Sequence, residues 1–539
     1  MNLASALEAA PTRVPFDIRR TRRSIRSALL DARKRFGGSK VIFVDADGHQ
    51  MTYDDLVRES FALGCALRKY AKRGETIGII LPTGIPAALT FFASHAFGRV
   101  PAMLNFTAGS HNMKVACKAA ELKSIVTARK FVQHAKLEQL IGELATAVPI
   151  IYLEDLRESL SLIDKAAAIL GSCMPHWMFT KWPNCDAPAA VLFTSGTEGD
   201  PKGVVLSHAN ILANVEQVRA HIDIYPHSDI LFNPLPTFHC FGLTVGVVLP
   251  SMVGVKTVFH PSPLHAKEVT KRIREAKATI LFATDTFIAR YARASNEGDL
   301  ASLRLAVCGA EHVRDETRRL VRQRCNMEIL EGYGVTEAAA VVAANLPGDA
   351  NRFGTVGKMM AGMEYRLEPV TGIENAGRLF VRGPNVMSGY LTSAMPGVVE
   401  SPPDGWHDTG DIVSIDADGY ITILGRAKRF AKVGGEIISL AVAENCASAL
   451  WPDNAHAAIS LPDEHKGEQI VLVTDAKGAR RSELAAWAKN SGVSELAVPR
   501  HIIHVEQVPL LGTGKPNYAA VKKLANTTSN QQIDGAAAH

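Results

Sequence analysis

The sequence predicts an α/β protein. It should have a large amino-terminal domain of mostly parallel sheets flanked by helices, with a small β subdomain, and a small α+β domain at the carboxyl end. Three observations carry this reading. Short apolar runs that stop at Gly or polar residues recur at Ala189 to Phe193, Thr279 to Ala283, Leu303 to Cys308 and Met327 to Leu330. Helix-period stretches such as "LHAKEVTKRIREAK" (264–277) lie between them, a succession that builds parallel sheets with helices on their faces. After about residue 375 the texture changes to strands, "GRLFVRG" and "DIVSIDADGYITILGR", the second with an Asp-Ala-Asp-Gly turn at 416–419 that suits a hairpin.

At 539 residues the chain exceeds one ordinary core, so two or more packed units are expected. A 47% hydrophobic and 21% charged composition excludes wholesale disorder. The net charge of +5 is uneven: residues 1–40 hold ten Lys/Arg against three Asp/Glu, which leaves the remainder at −2. Such a basic arm suits either contact with anionic lipid or an acidic protein, or plain solvation. Ile18, Ile25, Leu29 and Phe36 fall at spacings of one helical stripe, with Arg19, Arg20, Arg22, Arg23 and Arg26 largely around it. That pattern predicts a weak peripheral contact with an anionic membrane.

The eight cysteines are scattered, with no C-x-x-C pair, which favours free thiols in a reducing compartment. The first thirty residues lack an apolar core followed by a cleavage site. Ile77 to Phe97 is interrupted by Pro82 and Pro86, and Val245 to Val255 is too short for a bilayer, so both read as buried strand and helix. The expectation is a cytoplasmic protein, peripheral at most to the inner face of the membrane, with no nucleic-acid partner. His239 and Cys240 are sequence neighbours that rarely orient for proton transfer, and "DEHKGE" (463–468) reads as a solvated loop rather than a metal site.

Three loops follow apolar runs: "TSGTEGDPKG" (194–203), "GAE" (309–311) and "GYGVTE" (332–337). They fall at the carboxyl ends of expected parallel strands, where open α/β sheets bind ligands. The first combines hydroxyls, unhindered backbone N–H groups and a lysine, a composition that favours an anion. It is not a nucleoside-triphosphatase loop of the form G-x-x-x-x-G-K-[ST]. Counting from Gly196, Pro201 stands where the second glycine belongs and Gly203 where the hydroxyl belongs. The three-glycine dinucleotide spacing is absent as well. Further on, "GRAKRFAKVGGE" (425–436) breaks the regular pattern with charges and paired glycines, a domain boundary, and the tail "NTTSNQQIDGAAAH" (526–539) has little to bury.

"FTSGTEGDPKGVVLSH" resembles the phosphate-binding signature of the adenylate-forming superfamily of acyl-CoA synthetases, luciferases and nonribosomal-peptide adenylation domains. "PLPTFHCFG", "GAE", "GYGVTE", "GWHDTGD", "GRAKRFAKVGGE" and "PLLGTGKP" follow in that superfamily's order, so the resemblance runs from about Ala28 to Lys523. "SHANILANVEQV", "SPLH", "LEGYGVTE" and "SELAVPR" are similar to the acyl-ACP synthetase region of bifunctional 2-acylglycerophosphoethanolamine acyltransferase/acyl-ACP synthetases. Acyl transfer to a lysolipid is then expected from another polypeptide or not at all.

The resemblance implies a basic arm at 1–26, an AMP-binding domain at 27–425 and a mobile domain at 426–525 hinged near Lys428, with a flexible tail at 526–539. It implies activation of a fatty acid, of long chain by expectation, as acyl-AMP with release of pyrophosphate from ATP and Mg2+. The acyl group then passes to a phosphopantetheine thiol, of acyl carrier protein in the leading reading or of free CoA in the alternative. A non-catalytic lipid- or nucleotide-binding protein is the reading from another class. Thr194, Ser195, Gly196, Thr197, Gly199 and Lys202 would cover the β- and γ-phosphates. Thr336 would contact the α-phosphate, Glu337 would ligate the magnesium and Tyr333 would stack on adenine. Gly309, Ala310 and Glu311 would line the adenine and acyl side, Asp411 with Arg426 would take the ribose hydroxyls, and His239 would lie near the acyl carbonyl. Lys515 would reach in from the small domain. Two departures stand out: Glu198 where the superfamily usually has Thr, and His407 where it usually has Phe or Tyr. Apolar residues from Phe241 to Val248 and the small run Ala338 to Ala340 are compatible with a straight acyl chain.

Overall fold

The computed structural model describes residues 14–160, 166, 168–171, 184–194, 200–433, 436–463, 467–510 and 516–536. Ser195, Gly196, Thr197, Glu198, Gly199 and Lys515 lie outside them. Contacts gather the chain into two compact units, one holding most residues up to 364 together with 382–407, the other holding 365–381 and residues from 408 onward.

The first unit is built on two sheets. In the nine-stranded sheet, Val41–Val44, Lys256–Phe259, Ile230–Asn233, Ile280–Ala283, Leu305–Cys308 and Ile329–Tyr333 lie side by side and parallel. Antiparallel strands Gln50–Thr52 at one edge and Ala343–Ala344 with Lys358–Met359 at the other complete it. The seven-stranded sheet runs Gly389–Leu391, Gly203–Ser207, Pro188–Phe193, Val100–Met103, Thr76–Ile79, Ser124–Thr127, Ile150–Tyr152. Phe43, Phe91, Phe232, Phe259 and Tyr291 are among the largest fully buried side chains of this unit.

The apolar runs are strands as expected, with one correction. Pro188–Phe193 does not lead into a helix: it returns as the antiparallel strand Gly203–Ser207, so residues 194–202 connect a hairpin. Only then does the chain enter the helix His208–His221, where Ser207 Oγ accepts from Asn210 N and Asn210 Oδ1 accepts from Ser207 N. The stretch read as strand and helix near 245–255 is helical as far as Val253. Phe241–Val248 forms a π-helix that passes into Leu249–Val253; wide turns of this kind recur beside functional sites.

The basic arm is not one apolar stripe. Ile18 lies in a separate turn, Ile18–Thr21, and is 45% exposed, whereas Ser24 caps a helix Ile25–Phe36 whose Ile25 and Leu29 are in the core. Arg20, Arg22 and Arg23 pair with Glu216, Asp186 and Asp31, and Arg26 donates to the Ala96 carbonyl and lies over the Phe61 ring. The expected membrane-facing stripe is therefore withdrawn, because the body of the unit already takes its apolar residues and much of its charge. No helix among the described residues is long and apolar enough to cross a membrane.

The second unit joins two further sheets. Strands from 364 to 426 form a four-stranded sheet, ending in the expected hairpin between His407–Ile415 and Ile421–Arg426. Glu436–Ser439, Phe430–Val433, Gly467–Thr474 and His456–Asp463 form another, with His501–His504 parallel to Gly467–Thr474. Ser439 Oγ donates to the Leu424 carbonyl at 3.1 Å, a contact that ties the hairpin to the strand Glu436–Ser439. The compact units thus divide at 364/365, 381/382 and 407/408, not at the expected 425/426. The expected frayed tail is corrected too: the helix Tyr518–Ala536 runs almost to the end. Val521 and Ala525 are buried, and extending a helix already nucleated by packing costs little.

Candidate active site

In the first unit, the loops after neighbouring parallel strands carry the unusual backbone. Ala310, after Leu305–Cys308, has φ 69°, and Ala339 and Ala340, in the loop after Ile329–Tyr333, have φ 56° and 122°. Non-glycine residues in this region are strained by about 1–3 kcal/mol each and persist where their surroundings hold them. The holding groups are visible. Asn214 Nδ2 donates to the Val341 carbonyl at 2.8 Å and Asn214 Oδ1 accepts from Val341 N at 3.1 Å. Asn385, fully buried, donates to the Ala338 carbonyl at 2.9 Å and accepts from Gln217 Nε2 at 3.2 Å. At Gly334 a Cβ would come within 1.6 Å of the Ala340 carbonyl oxygen, so only glycine permits this turn.

The held loop presents Thr336 and Glu337 in the short turn Thr336–Ala338. Tyr390 Oη donates to Glu337 Oε1 at 2.6 Å, and Met387 N donates to the Glu337 carbonyl at 2.7 Å. The same Tyr390 ring lies 5.0 Å from Lys202 Nζ. Lys202 is fixed by the hairpin, where Thr194 N donates to its carbonyl at 3.1 Å. The structure therefore brings Lys202, Glu337 and Thr194 into one neighbourhood. Cys240 Sγ lies 3.7 Å from Thr336 Oγ1, which brings the His239 segment to the same turn. His239 is half-buried against Phe238, with ring centroids 5.0 Å apart. Tyr333 is buried at the end of its strand. His407 is buried and faces Tyr390 edge-on at 6.4 Å.

Gly309 and Glu311 act differently from one another. Glu311 Oε2 accepts from Thr286 N at 2.9 Å at the start of the helix Asp285–Ala294, so this oxygen is taken by the helix start rather than open to a ligand. Gly309 and Ala310 leave backbone for that purpose: a Cβ on Gly309 would stand 3.4 Å from the Gly332 carbonyl and 3.6 Å from the Phe241 ring. Ala338 to Ala340 are buried, and Phe241 packs on Phe282 at 5.6 Å.

In the second unit, Asp411 is 3% exposed and pairs across the hairpin with Arg426, whose Nε is 2.7 Å from Asp411 Oδ1. Arg426 Nη1 also donates to the Thr409 carbonyl at 3.1 Å. Lys428 sits in the turn Ala427–Arg429, and Arg429 in turn pairs with Glu444 at 2.6 Å.

Tyr390, Asn214, Gln217 and Asn385 were not singled out from sequence. Tyr390 reads as an ordinary strand aromatic and the amides as helix or loop polar residues; only their burial against the glycine-and-alanine loop marks them. The donor set at the first unit's strand ends suits an anion with a hard cation. It offers a lysine ammonium, a threonine hydroxyl and a carboxylate oxygen, with open backbone at Gly309.

Comparison with known proteins gives the family and the fold. The medium-chain fatty-acid–CoA ligase of Escherichia coli strain K12 is 27% identical over 501 residues, 88% of this chain and 86% of that protein. The mouse mitochondrial medium-chain acyl-CoA ligase ACSF2 is 26% identical over 479 residues, 82% of this chain and 78% of that protein. ATP-bound MatB from Rhodopseudomonas palustris shares the fold, with a TM-score of 0.78 at 23% identity over 93% of this chain and 99% of that one. A profile of AMP-binding enzymes matches residues 30–391, the stretch that contains the phosphate-type loop, the held Thr-Glu turn and Tyr390. The chain belongs to the AMP-binding enzyme family and is an adenylate-forming ligase.

Proposed function

We propose that the protein is an ATP-dependent fatty acid–CoA ligase. The observation that carries this reading is the Lys202–Tyr390–Glu337 arrangement, in which one tyrosine ring lies against a lysine ammonium while its hydroxyl donates to a carboxylate. A fatty carboxylate oxygen attacks the α-phosphorus of ATP, and the bond from that phosphorus to the pyrophosphate oxygen breaks. The CoA sulfur then attacks the acyl carbonyl, AMP leaves with the anhydride oxygen, and the thiol proton passes to solvent. Such displacement depends on positioning and on neutralising charge. Lys202 counters charge on the departing pyrophosphate, and Thr336 orients the α-phosphate. Glu337, oriented by Tyr390, would hold the magnesium, which would offset charge on the phosphate oxygens. The motif resemblance assigns the ribose to Asp411 and Arg426, and the carboxylate and α-phosphate to Lys515.

Free CoA replaces carrier protein as the acceptor in this reading, because the relatives spanning most of the chain are named as CoA ligases of medium-chain acids. The test supplies purified enzyme, MgATP and saturated fatty acids of graded length with either CoA or holo-acyl carrier protein. Acyl-CoA formation with fatty-acid-dependent pyrophosphate release is the expected result. Thioester formed only on the carrier protein would restore the acceptor read from the motifs. No pyrophosphate with any acid would overturn the ligase reading.

A further inference from the structure

The strand Lys256–Phe259 ends at His260, and the helix Ala266–Ala276 starts with His265 at its N-cap and Glu268 in its first turn. Pro261 and Pro263 stiffen the connection, and Tyr291 Oη donates to the Pro263 carbonyl at 2.9 Å. The turn so held brings the two imidazoles together, with centroids 6.1 Å apart at 84°. His265 Nδ1 is 3.9 Å from Glu268 Oε2, and one ligand-type atom from each of the three residues lies within 4.8 Å of the others. His260 is 1% exposed, yet among the described residues neither of its ring nitrogens has a hydrogen-bond partner. Buried polar atoms are nearly always satisfied, so this ring calls for an explanation.

We propose that His260, His265 and Glu268 form a binding site for one divalent transition-metal ion of the zinc class. Two imidazole nitrogens and one carboxylate oxygen are donors that zinc and cobalt(II) take readily, whereas magnesium prefers oxygen donors and water. Donors at about 2.0–2.2 Å from a tetrahedral ion stand roughly 3.3 Å apart. The wider spacing here closes by rotation of His265 and Glu268, whose side chains are 60% and 59% exposed. The ion satisfies a His260 nitrogen, clasps the strand end to the helix start and leaves a fourth position for water. Arg272 lies one turn further along the same helix, and its Nη2 donates to the Asp45 carbonyl at 3.0 Å. The Glu268 charge faces the same space and offsets it. These three residues do not include Glu337, the carboxylate assigned to magnesium.

The test uses the full-length protein, stripped with a chelator and titrated with Co2+ and then Zn2+. One equivalent of Co2+ should give a visible d–d spectrum without a thiolate charge-transfer band, bleached by one equivalent of Zn2+. Zn2+ should also raise the unfolding temperature. The double variant H265A/E268A, at two exposed positions, should keep its circular dichroism and metal-free unfolding temperature. It should lose the Co2+ spectrum and the Zn2+ shift, with affinity down about tenfold or more. A wild-type protein without the spectrum, a thiolate band, or a double variant that titrates like wild type would each overturn the proposal. None of these readouts depends on ligase turnover.

Discussion

Tyr390 Oη donates to Glu337 Oε1 at 2.6 Å while Lys202 Nζ sits 5.0 Å from the centre of the same ring. The phenol therefore touches both the cation and the carboxylate, and its hydrogen bond orients the carboxylate. Tyr390→Phe keeps the ring and deletes the bond. A hydrogen bond to a charged group contributes about 1.5–3 kcal/mol, so adenylation should fall roughly ten- to a hundredfold. The half-saturating Mg2+ concentration should rise while the unfolding temperature stays within a degree or two of wild type. Fatty-acid-dependent ATP–pyrophosphate exchange against Mg2+ measures this; an unchanged Mg2+ profile would remove Tyr390 from the orienting role.

Asn385→Ala should loosen the strained turn that carries Thr336 and Glu337. It removes a fully buried amide that bonds the Ala338 carbonyl and Gln217. The expected loss of stability is about 2–4 kcal/mol. Asn214→Ala strips the same turn from the other side, so a double-mutant cycle should show coupling between the two. Strict additivity in urea-midpoint measurements would mean that the amides do not act on one loop.

Lys428→Pro addresses the hinge. Lys428 lies between two anchored neighbours, Arg426 on Asp411 and Arg429 on Glu444, so a swing there would leave both ion pairs intact and break the Ser439–Leu424 hydrogen bond. Proline fixes φ near −65° and removes a donor. A folded Lys428→Pro enzyme should retain much of its ATP–pyrophosphate exchange and lose most thioester formation. Full thioester turnover would exclude Lys428 as the pivot.

Lys515→Ala separates the half-reactions in the other sense. Loss of one donor to the transition state should reduce acyl-adenylate formation by roughly two to three decades. Thioester formation from preformed acyl-adenylate should largely survive. Equal losses in both would show that Lys515 does not belong to adenylation alone.

Acid should weaken the start of the first helix. His208 Nδ1 accepts from Ile25 N at 3.3 Å, and burial pulls the His208 imidazole down to about 4. His95, whose ring is 5.1 Å away, is lowered by the same cause. Both are neutral when folded, and the unfolded chain takes up their protons first. Their stabilisation is therefore present above about 6.5 and is lost as the pH falls toward 4, by on the order of 3 kcal/mol for His208. His208→Asn, which keeps an acceptor near the Nδ1 position, should flatten the fall in unfolding midpoint between pH 6.5 and 4.5. A slope identical to wild type would assign the acid sensitivity to other groups.

The sequence by itself determined the class of fold and the chemistry of its loops. Apolar runs broken by Gly, helix-period intervals and hydroxyl-rich turns are local signals, set by backbone sterics and side-chain alternation; the motif resemblance is what singled out Lys202, Glu337, Asp411 and Arg426. Tertiary structure alone decided which of these meet. Nothing near Tyr390 in the chain indicates that antiparallel pairing of Gly389–Leu391 with Gly203–Ser207 brings its ring beside Lys202. The partners of Arg20, Arg22 and Arg23 likewise come from distant carboxylates or another turn, which is why a sequence stripe could be drawn where the molecule has none. His260 reads as one more polar residue after a strand; its meaning depends on burial without a partner, a property that exists only once the neighbouring strand, turn and helix have closed around it.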